Sequence, residues 1–295
     1  MLDVSSFAYD QKAPLEFTVL SERVQNGTTI RDITYASPHG GRVSAYLISP
    51  SQQKPQAGLI FGHWGEGNRT EFVEEALVLT DLGVVSLCLD SPHQRDVEYE
   101  PQRAQPQAEL QWIVDVRRGV DLLLEQFHLS SERLGYVGHS YGASYGGTIA
   151  GIEHRIKAYI LMAGWYSVSE LTRTSTNPGL VEQRKKIPLD ILNVYLNAMA
   201  PLDAHHYIGH AAPSHLFFQF ARGDHSVSEK EGQYFFELAS EPKQITWYEN
   251  CGHELNAQAR LDRATWLCTQ LGLSSPSQNV LNLLKQVPSP VPLES

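Results

Sequence analysis

From residue 57 onward the chain alternates short, almost purely apolar runs with longer amphipathic ones, and few folds accommodate such a rhythm. "AGLIFG" (57–62) precedes "EFVEEALVLTDLG", and "VVSLCLD" (84–90) precedes "QAELQWIVDVRRGVDLLLEQF". Further strand-like runs are "RLGYVG" (133–138), "IKAYILMAG" (156–164), "HLFFQFARG" (215–223) and "QITWYENCG" (244–252). Strands that are apolar along their whole length are covered on both faces, and right-handed crossovers place a helix on each face of a parallel sheet. The reading is therefore a three-layer α/β/α sandwich with a mostly parallel sheet of about eight strands. An antiparallel hairpin, "TTIRDITYAS" and "RVSAYLISP" joined across "PHGG", leads into it. In the helix predicted around 107–127, Leu110, Ile113, Val114, Val120, Leu123 and Leu124 recur at about 3.6 residues, which leaves Glu109, Asp115, Arg117 and Arg118 to face water.

The rhythm breaks once. Residues 165–212 form a long connection before the strand at 215–223, and connections of this length carry function or elements of their own. They are read as an insertion over the sheet edge, a cap, partly helical around "LDILNVYLNAM". The chain then divides into an N-terminal arm (1–28), a main domain (29–272) and a Ser- and Pro-rich tail (273–295) with one short helix.

Composition excludes several roles. With 295 residues, 42% hydrophobic and 19% charged, the chain is that of an ordinary globular protein, and 23 basic against 33 acidic residues give a net charge of −10. No basic run exists to attract nucleic acid or an anionic membrane. The N-terminal stretch "MLDVSSFAYDQK" lacks the features of a secretory signal, and no apolar run reaches the roughly 18 residues that a bilayer requires. A cytoplasmic protein is expected. Three cysteines at scattered spacing, Cys88, Cys251 and Cys268, suggest neither a disulfide framework nor a zinc ribbon.

The chemistry concentrates in "LGYVGHSYGASYGG", where G-x-S-x-G occurs twice, around Ser140 and around Ser144. A nucleophilic serine on such a motif must stand where a strand turns sharply into a helix. "RLGYVG" supplies that strand, so Ser140 lies on the turn and Ser144 one helical turn further in. Gly138 and Gly142 are read as positions where a side chain would strike the neighbouring helix and strand. A serine hydroxyl needs a base, and the base an orienting carboxylate. In an open parallel sheet these should follow strands at the carboxyl edge. Asp224 follows "HLFFQFARG", and His253 follows "QITWYENCG" at what reads as a helix start. Asp203 is the rival carboxylate, but it precedes its strand.

Taken together, "VGHSYG", "ARGDHSV" and "NCGHEL", in the order Ser140, Asp224, His253, resemble the α/β-hydrolases over about residues 29–272. "VDVRRGVDLLLEQ" and "LGVVSLCLDSP" are similar to the dienelactone-hydrolase-like and serine-esterase branches. Dienelactone hydrolase itself has a cysteine nucleophile where Ser140 stands here, so lactone chemistry is not implied. The resemblance implies an oxyanion hole of two backbone N–H groups. Tyr141 takes one by position; the other falls in "FGHWGEGNRTEF", where His63 fits the family and Trp64 replaces a common glycine. Gly65 is the better candidate there, with Trp64 the alternative.

Other readings of these residues are weaker. His253-Glu254 would begin a zincin motif, but Ala257 stands where its second histidine belongs. His205, His206, His210 and His215 beside Asp203 invite a metal, yet no second ligand cluster accompanies them. Trp165, Tyr166 and Tyr195 are taken as candidate lining of a substrate pocket. The expectation is a cofactor-free, metal-free serine hydrolase of carboxylic esters acting on a small molecule. Peptide or thioester substrates are variants, a non-catalytic binding protein on the same fold is the contrasting class, and oligomeric state is left open.

Overall fold

The computed structural model describes residues 4–95 and 107–289, so the first three residues of the arm and the last six of the tail lie outside the described residues. Nine strands form one sheet among the described residues: β1 (Thr18–Gln25), β2 (Thr28–Ala36), β3 (Arg42–Pro50), β4 (Ala57–Gly62), β5 (Val84–Leu89), β6 (Leu134–His139), β7 (Ala158–Met162), β8 (His215–Ala221) and β9 (Lys243–Tyr248). The spatial order is β1-β2-β3-β5-β4-β6-β7-β8-β9. β2 and β3 pair antiparallel as the hairpin predicts, β3 pairs antiparallel with β5, and from β5 to β9 all pairs are parallel. β4, β5, β6 and β7 are buried along their whole length, which is why their sequences show no polar alternation.

The ninth strand is β1, inside the segment read as an arm. It is an edge strand exposed at every residue, including Val19, Leu20 and Val24. A strand with no buried face has no hydrophobic pattern to betray it.

Helices cover both faces. On one lie α2 (Gln107–Phe127), α3 (Tyr141–Ala150) and α7 (Glu229–Leu238), whose Ile113, Val120, Tyr145 and Phe235 join one core. On the other lie α1 (Val73–Leu79), α8 (Ala257–Gln270) and the tail helix α9 (Gln278–Gln286), with Ala76, Leu267 and Leu284 in a second core. Three layers result. Residues 165–212 contain α4 (Val168–Thr174), α5 (Pro178–Lys186) and α6 (Leu189–Met199), followed by short 3-10 turns.

One expectation about α2 fails. Glu109, Asp115 and Arg118 are buried and Arg117 is half-buried, none of them simply facing water. Glu109 meets His93 and Tyr195 and Asp115 meets Arg95, whereas the arginines are covered by the N-terminal segment, which crosses α2 with Phe7 and Leu15 in the core. Its carbonyls are met by the helix's arginines: Arg117 donates to Phe7 O at 2.6 Å, and Arg118 donates to Gln11 O at 3.1 Å and to Ala13 O. Arg118 also pairs with Asp121 at 2.8 Å, and Asp115 pairs with Arg95 at 2.6 Å. Buried charges persist only when paired and hydrogen-bonded. Arg118→Ala should therefore lower unfolding free energy by about 3–5 kcal/mol, the cost of breaking a buried pair. Urea denaturation checks this, and a loss within error of zero would mean that the arm does not depend on this anchor.

Candidate active site

The strand order reverses at β4. Its chain exits toward β5 on one side, whereas β6 lies on the other side and continues to β7, so a crevice opens beyond the carboxyl ends of β4 and β6. Ligands of open α/β sheets bind at such a switch point. Both segments singled out by their motifs emerge there, 63–70 after β4 and Ser140 after β6.

Ser140 has φ 53° and ψ −106°, a conformation that side chains other than glycine rarely adopt. β6 ends at His139 and α3 begins at Tyr141, so one residue makes the whole turn. Such sharpness needs bare backbone on either side. A Cβ on Gly138 would stand 2.5 Å from the Gly142 carbonyl group, and one on Gly142 would stand 2.3 Å from Gly62 O of β4. Ser144 lies inside α3, buried, its hydroxyl donating to Ser140 O at 2.8 Å and accepting the Trp165 N–H at 2.9 Å.

Three polar side chains converge on the turn. His253 Nε2 is 2.7 Å from Ser140 Oγ, and His253 Nδ1 is 2.9 Å from Asp224 Oδ2. The Asp224 side chain is fully buried while that of His253 is 22% exposed, so the ring has a solvent-facing edge and the carboxylate has none. Asp224 Oδ1 accepts the N–H groups of Ser226 at 2.7 Å and Val227 at 3.1 Å, which fixes the carboxylate by its second oxygen. His253 sits in a loop four residues ahead of α8, not at a helix start as the sequence suggested, and Asn256 caps that helix instead. Asp203 is far from free: it accepts Val168 N–H at 2.8 Å and Ser167 Oγ–H at 2.7 Å, holding the start of α4.

The loop after β4 is held from several directions. His63 Nδ1 donates to Trp64 O at 2.6 Å and its Nε2 accepts Ser91 N–H at 2.9 Å, an arrangement that calls for the neutral ring. Burial accordingly pushes His63 below the ordinary imidazole range. His63 O accepts the Gly142 N–H at 3.1 Å, tying this loop to the turn. The Trp64 N–H is committed to Glu71 Oε2 at 2.7 Å. Gly65, by contrast, approaches Tyr141, whose Cβ would lie 3.9 Å from a Cβ placed there.

The three aromatics differ in placement. Trp165 is half-buried, its indole N–H donating to Ser226 O at 3.1 Å beside the Asp224 loop. Tyr195, from α6, donates to Glu109 Oε1 at 3.1 Å. Tyr166 donates to Glu170 at 3.1 Å and packs edge-on against Tyr234, contacts that run along α4 and α7. Between residues 175–179 and the Asp224 loop lies an open polar groove of about 580 Å³, with Asn177 Nδ2 donating to His225 O across it. The rings of His205 and His206 lie tilted against each other with centroids 3.8 Å apart, and among the described residues no group of three or more His, Cys, Asp or Glu is placed to hold a metal ion. No described helix is long and apolar enough to cross a membrane.

Glu71 is a residue that sequence reasoning passes over, and His139 stands in the sequence only as the variable position before Ser140 in G-x-S-x-G. They meet at 2.6 Å beneath the turn. No local signal marks Glu71, which reads as one more acid in an amphipathic run.

No protein-family model and no curated protein matches the chain. Solved structures do. An acetyl xylan esterase from Paenibacillus sp. R4 is 16% identical, with 90% of this chain and 92% of that one covered at a TM-score of 0.76. The alpha/beta hydrolase GrgF from Penicillium sp. sh18 is 16% identical over 82% and 98%, TM-score 0.64. An S-formylglutathione hydrolase from Agrobacterium tumefaciens is 18% identical over 86% and 100%, also at 0.64. With the strand order and the turn after β6, these likenesses identify the architecture: the chain has the α/β-hydrolase fold.

Proposed function

We propose that the protein is a serine hydrolase that cleaves a carboxylic ester of a small molecule through an acyl-enzyme. The observation that carries this reading is the unbroken chain Ser140 Oγ, His253 Nε2, His253 Nδ1, Asp224 Oδ2, with links of 2.7 and 2.9 Å. Asp224 accepts from Nδ1–H and so leaves Nε2 as the lone-pair nitrogen facing the serine. Ser140 attacks the carbonyl as its proton passes to His253, the leaving alcohol takes that proton, and water then repeats the sequence to release the acid.

The Tyr141 N–H, first in α3, and the Gly65 N–H receive the oxyanion. Trp64 is set aside for that role because its N–H already donates to Glu71. Donors aimed at the developing charge lower the barrier by about 3–4 kcal/mol each. Residues 165–212 act as a cap on the 29–272 catalytic domain, with Trp165 and Tyr195 facing substrate and Tyr166 supporting them. The names of the similar structures, esterase and hydrolase, support this class. A cytoplasmic setting suits three free thiols, two of them buried.

A fluorophosphonate probe should label the wild type and not Ser140→Ala. It should still label Ser144→Ala, which loses about 1–3 kcal/mol of stability because the Trp165 N–H loses its acceptor. The reverse labelling pattern would transfer the nucleophile to Ser144. Asp224→Asn should lower turnover about 10⁴-fold, measured as kcat on a short-chain aryl ester. Dialysis against a strong chelator should leave hydrolysis of a short-chain aryl ester unchanged. Loss on chelation that zinc restores would point to His205, His206 and His210 instead.

A further inference from the structure

Two buried side chains outside the proposed triad connect three of its loops. Glu71, just ahead of α1, and His139, the last residue of β6, each have side chains only 3% exposed. Glu71 Oε1 is 2.6 Å from His139 Nδ1, and Glu71 Oε2 accepts the Trp64 N–H at 2.7 Å. His139 Nε2 lies 2.9 Å from the carbonyl oxygen of His253. The ring thus has an acceptor at each nitrogen. A carbonyl oxygen cannot donate, so Nε2 carries a proton, and a second proton must lie between Nδ1 and Oε1. A neutral imidazole beside an ionised carboxylate would be one proton short. The adjoining cavity, about 10 Å³, has room for at most about one water to make good a lost donor.

We propose that Glu71 and His139 are positioning residues: the proton they share fastens the loop carrying Gly65 to the loop carrying His253, and both stay in register with Ser140 only while it is held. This rests on the serine-hydrolase reading. The connection runs from Trp64 N–H through Glu71 and His139 to His253 O, so one ion pair joins the neighbour of the oxyanion donor to the backbone of the general base. Such an arrangement acts through geometry, and misplacement by about 1 Å costs about a hundredfold in rate.

The charges around the pair agree with this. Burial opposes charge on the His139 ring, but the Glu71 carboxylate and the His253 carbonyl outweigh it and hold the ring above the ordinary imidazole range. Arg263 opposes the charge from α8, and is itself paired with Glu75 at 2.8 Å, with Arg260 3.7 Å from the same carboxylate. Glu254 lines the small cavity, and the His253 ring is 5.2 Å away, centroid to centroid. Because the folded-state value is raised, the arrangement is complete below the ordinary imidazole range and fails as pH climbs through the raised value. Beyond that point the Nδ1 lone pair faces an anionic oxygen.

Glu71→Gln separates geometry from charge. The amide oxygen still accepts the Trp64 N–H, while its NH₂ donates to Nδ1 of a neutral ring whose Nε2–H keeps the His253 carbonyl. All three links survive without the extra proton. The experiment is the pH profile of kcat and KM on an aryl ester, from neutral into alkaline solution, for wild type, Glu71→Gln and Glu71→Ala. Near-ultraviolet circular dichroism confirms the fold at each pH. The wild-type kcat should fall on the alkaline side, Glu71→Gln should lack that fall, and Glu71→Ala should lose about a hundredfold in kcat at every pH with KM little changed. Should Glu71→Ala fail to fold, the Glu71→Gln profile decides alone. Ser140→Ala, run in parallel, keeps two failures apart. Activity surviving in Ser140→Ala overturns the serine reading and the proposal with it. An inactive Ser140→Ala beside a Glu71→Gln enzyme that keeps the wild-type alkaline fall, or beside a folded Glu71→Ala enzyme with wild-type kcat, overturns the positioning role alone.

Discussion

The contact on which the site depends is the near-touching of two backbones, Gly142 at the start of α3 against Gly62 at the end of β4, where a single Cβ would come within 2.3 Å of a carbonyl oxygen. That approach lets β6 turn into α3 through one residue and leaves Ser140 at positive φ with its hydroxyl standing off the sheet. A non-glycine residue in such a region costs about 1–3 kcal/mol and persists only where its surroundings over-determine it. Here they do. Ser140 N–H donates to Met162 O at 2.8 Å, Tyr136 O–H donates to Gly142 O at 2.7 Å, and Ser144 holds Ser140 O from inside the helix. The sheet, the helix and the turn are thus hydrogen-bonded to one another.

Around that turn the molecule uses charged side chains as fasteners within its interior. Arg117 and Arg118 hold the N-terminal segment onto α2 through its carbonyls, Arg263 and Glu75 join α8 to α1, and Arg260 reaches the carbonyls of Leu284 within α9 and Val287 just beyond it. Each adds a directional link to a segment that also contributes side chains to a core. The loops are treated likewise: Arg69 donates to Asp32 at 2.6 Å and lies over the Tyr46 ring, pinning the segment after β4 to the antiparallel end of the sheet.

The insertion is joined to the site by polar contacts. Trp165 spans from Ser144 to Ser226 and Asn177 reaches His225, while Asp203 holds the start of α4 within the insertion itself. On its outer side α6 leaves Leu189, Ile191 and Val194 exposed. The insertion therefore meets the Asp224 loop across a polar groove and presents apolar surface elsewhere.

The sequence by itself determined the layers, because burial on both faces is written locally as unbroken apolar runs, and it determined the turn at Ser140, because only glycine fits beside it. It also placed Ser140, Asp224 and His253 each after a strand, and strand ends are readable one segment at a time. What lay beyond it depends on which segments meet. β1 carries no pattern because it buries no face, and the arginines of α2 are indistinguishable from solvated ones until the N-terminal segment lies across them. Between Trp64 and Gly65 the linear chain expresses a preference for Gly65 and no more. Only the folded molecule, by bringing Glu71 to within 2.7 Å of the Trp64 N–H and His139 to within 2.9 Å of the His253 carbonyl, decides which N–H is committed and which loops are joined, because a hydrogen bond between residues far apart in sequence leaves no periodic trace in either segment.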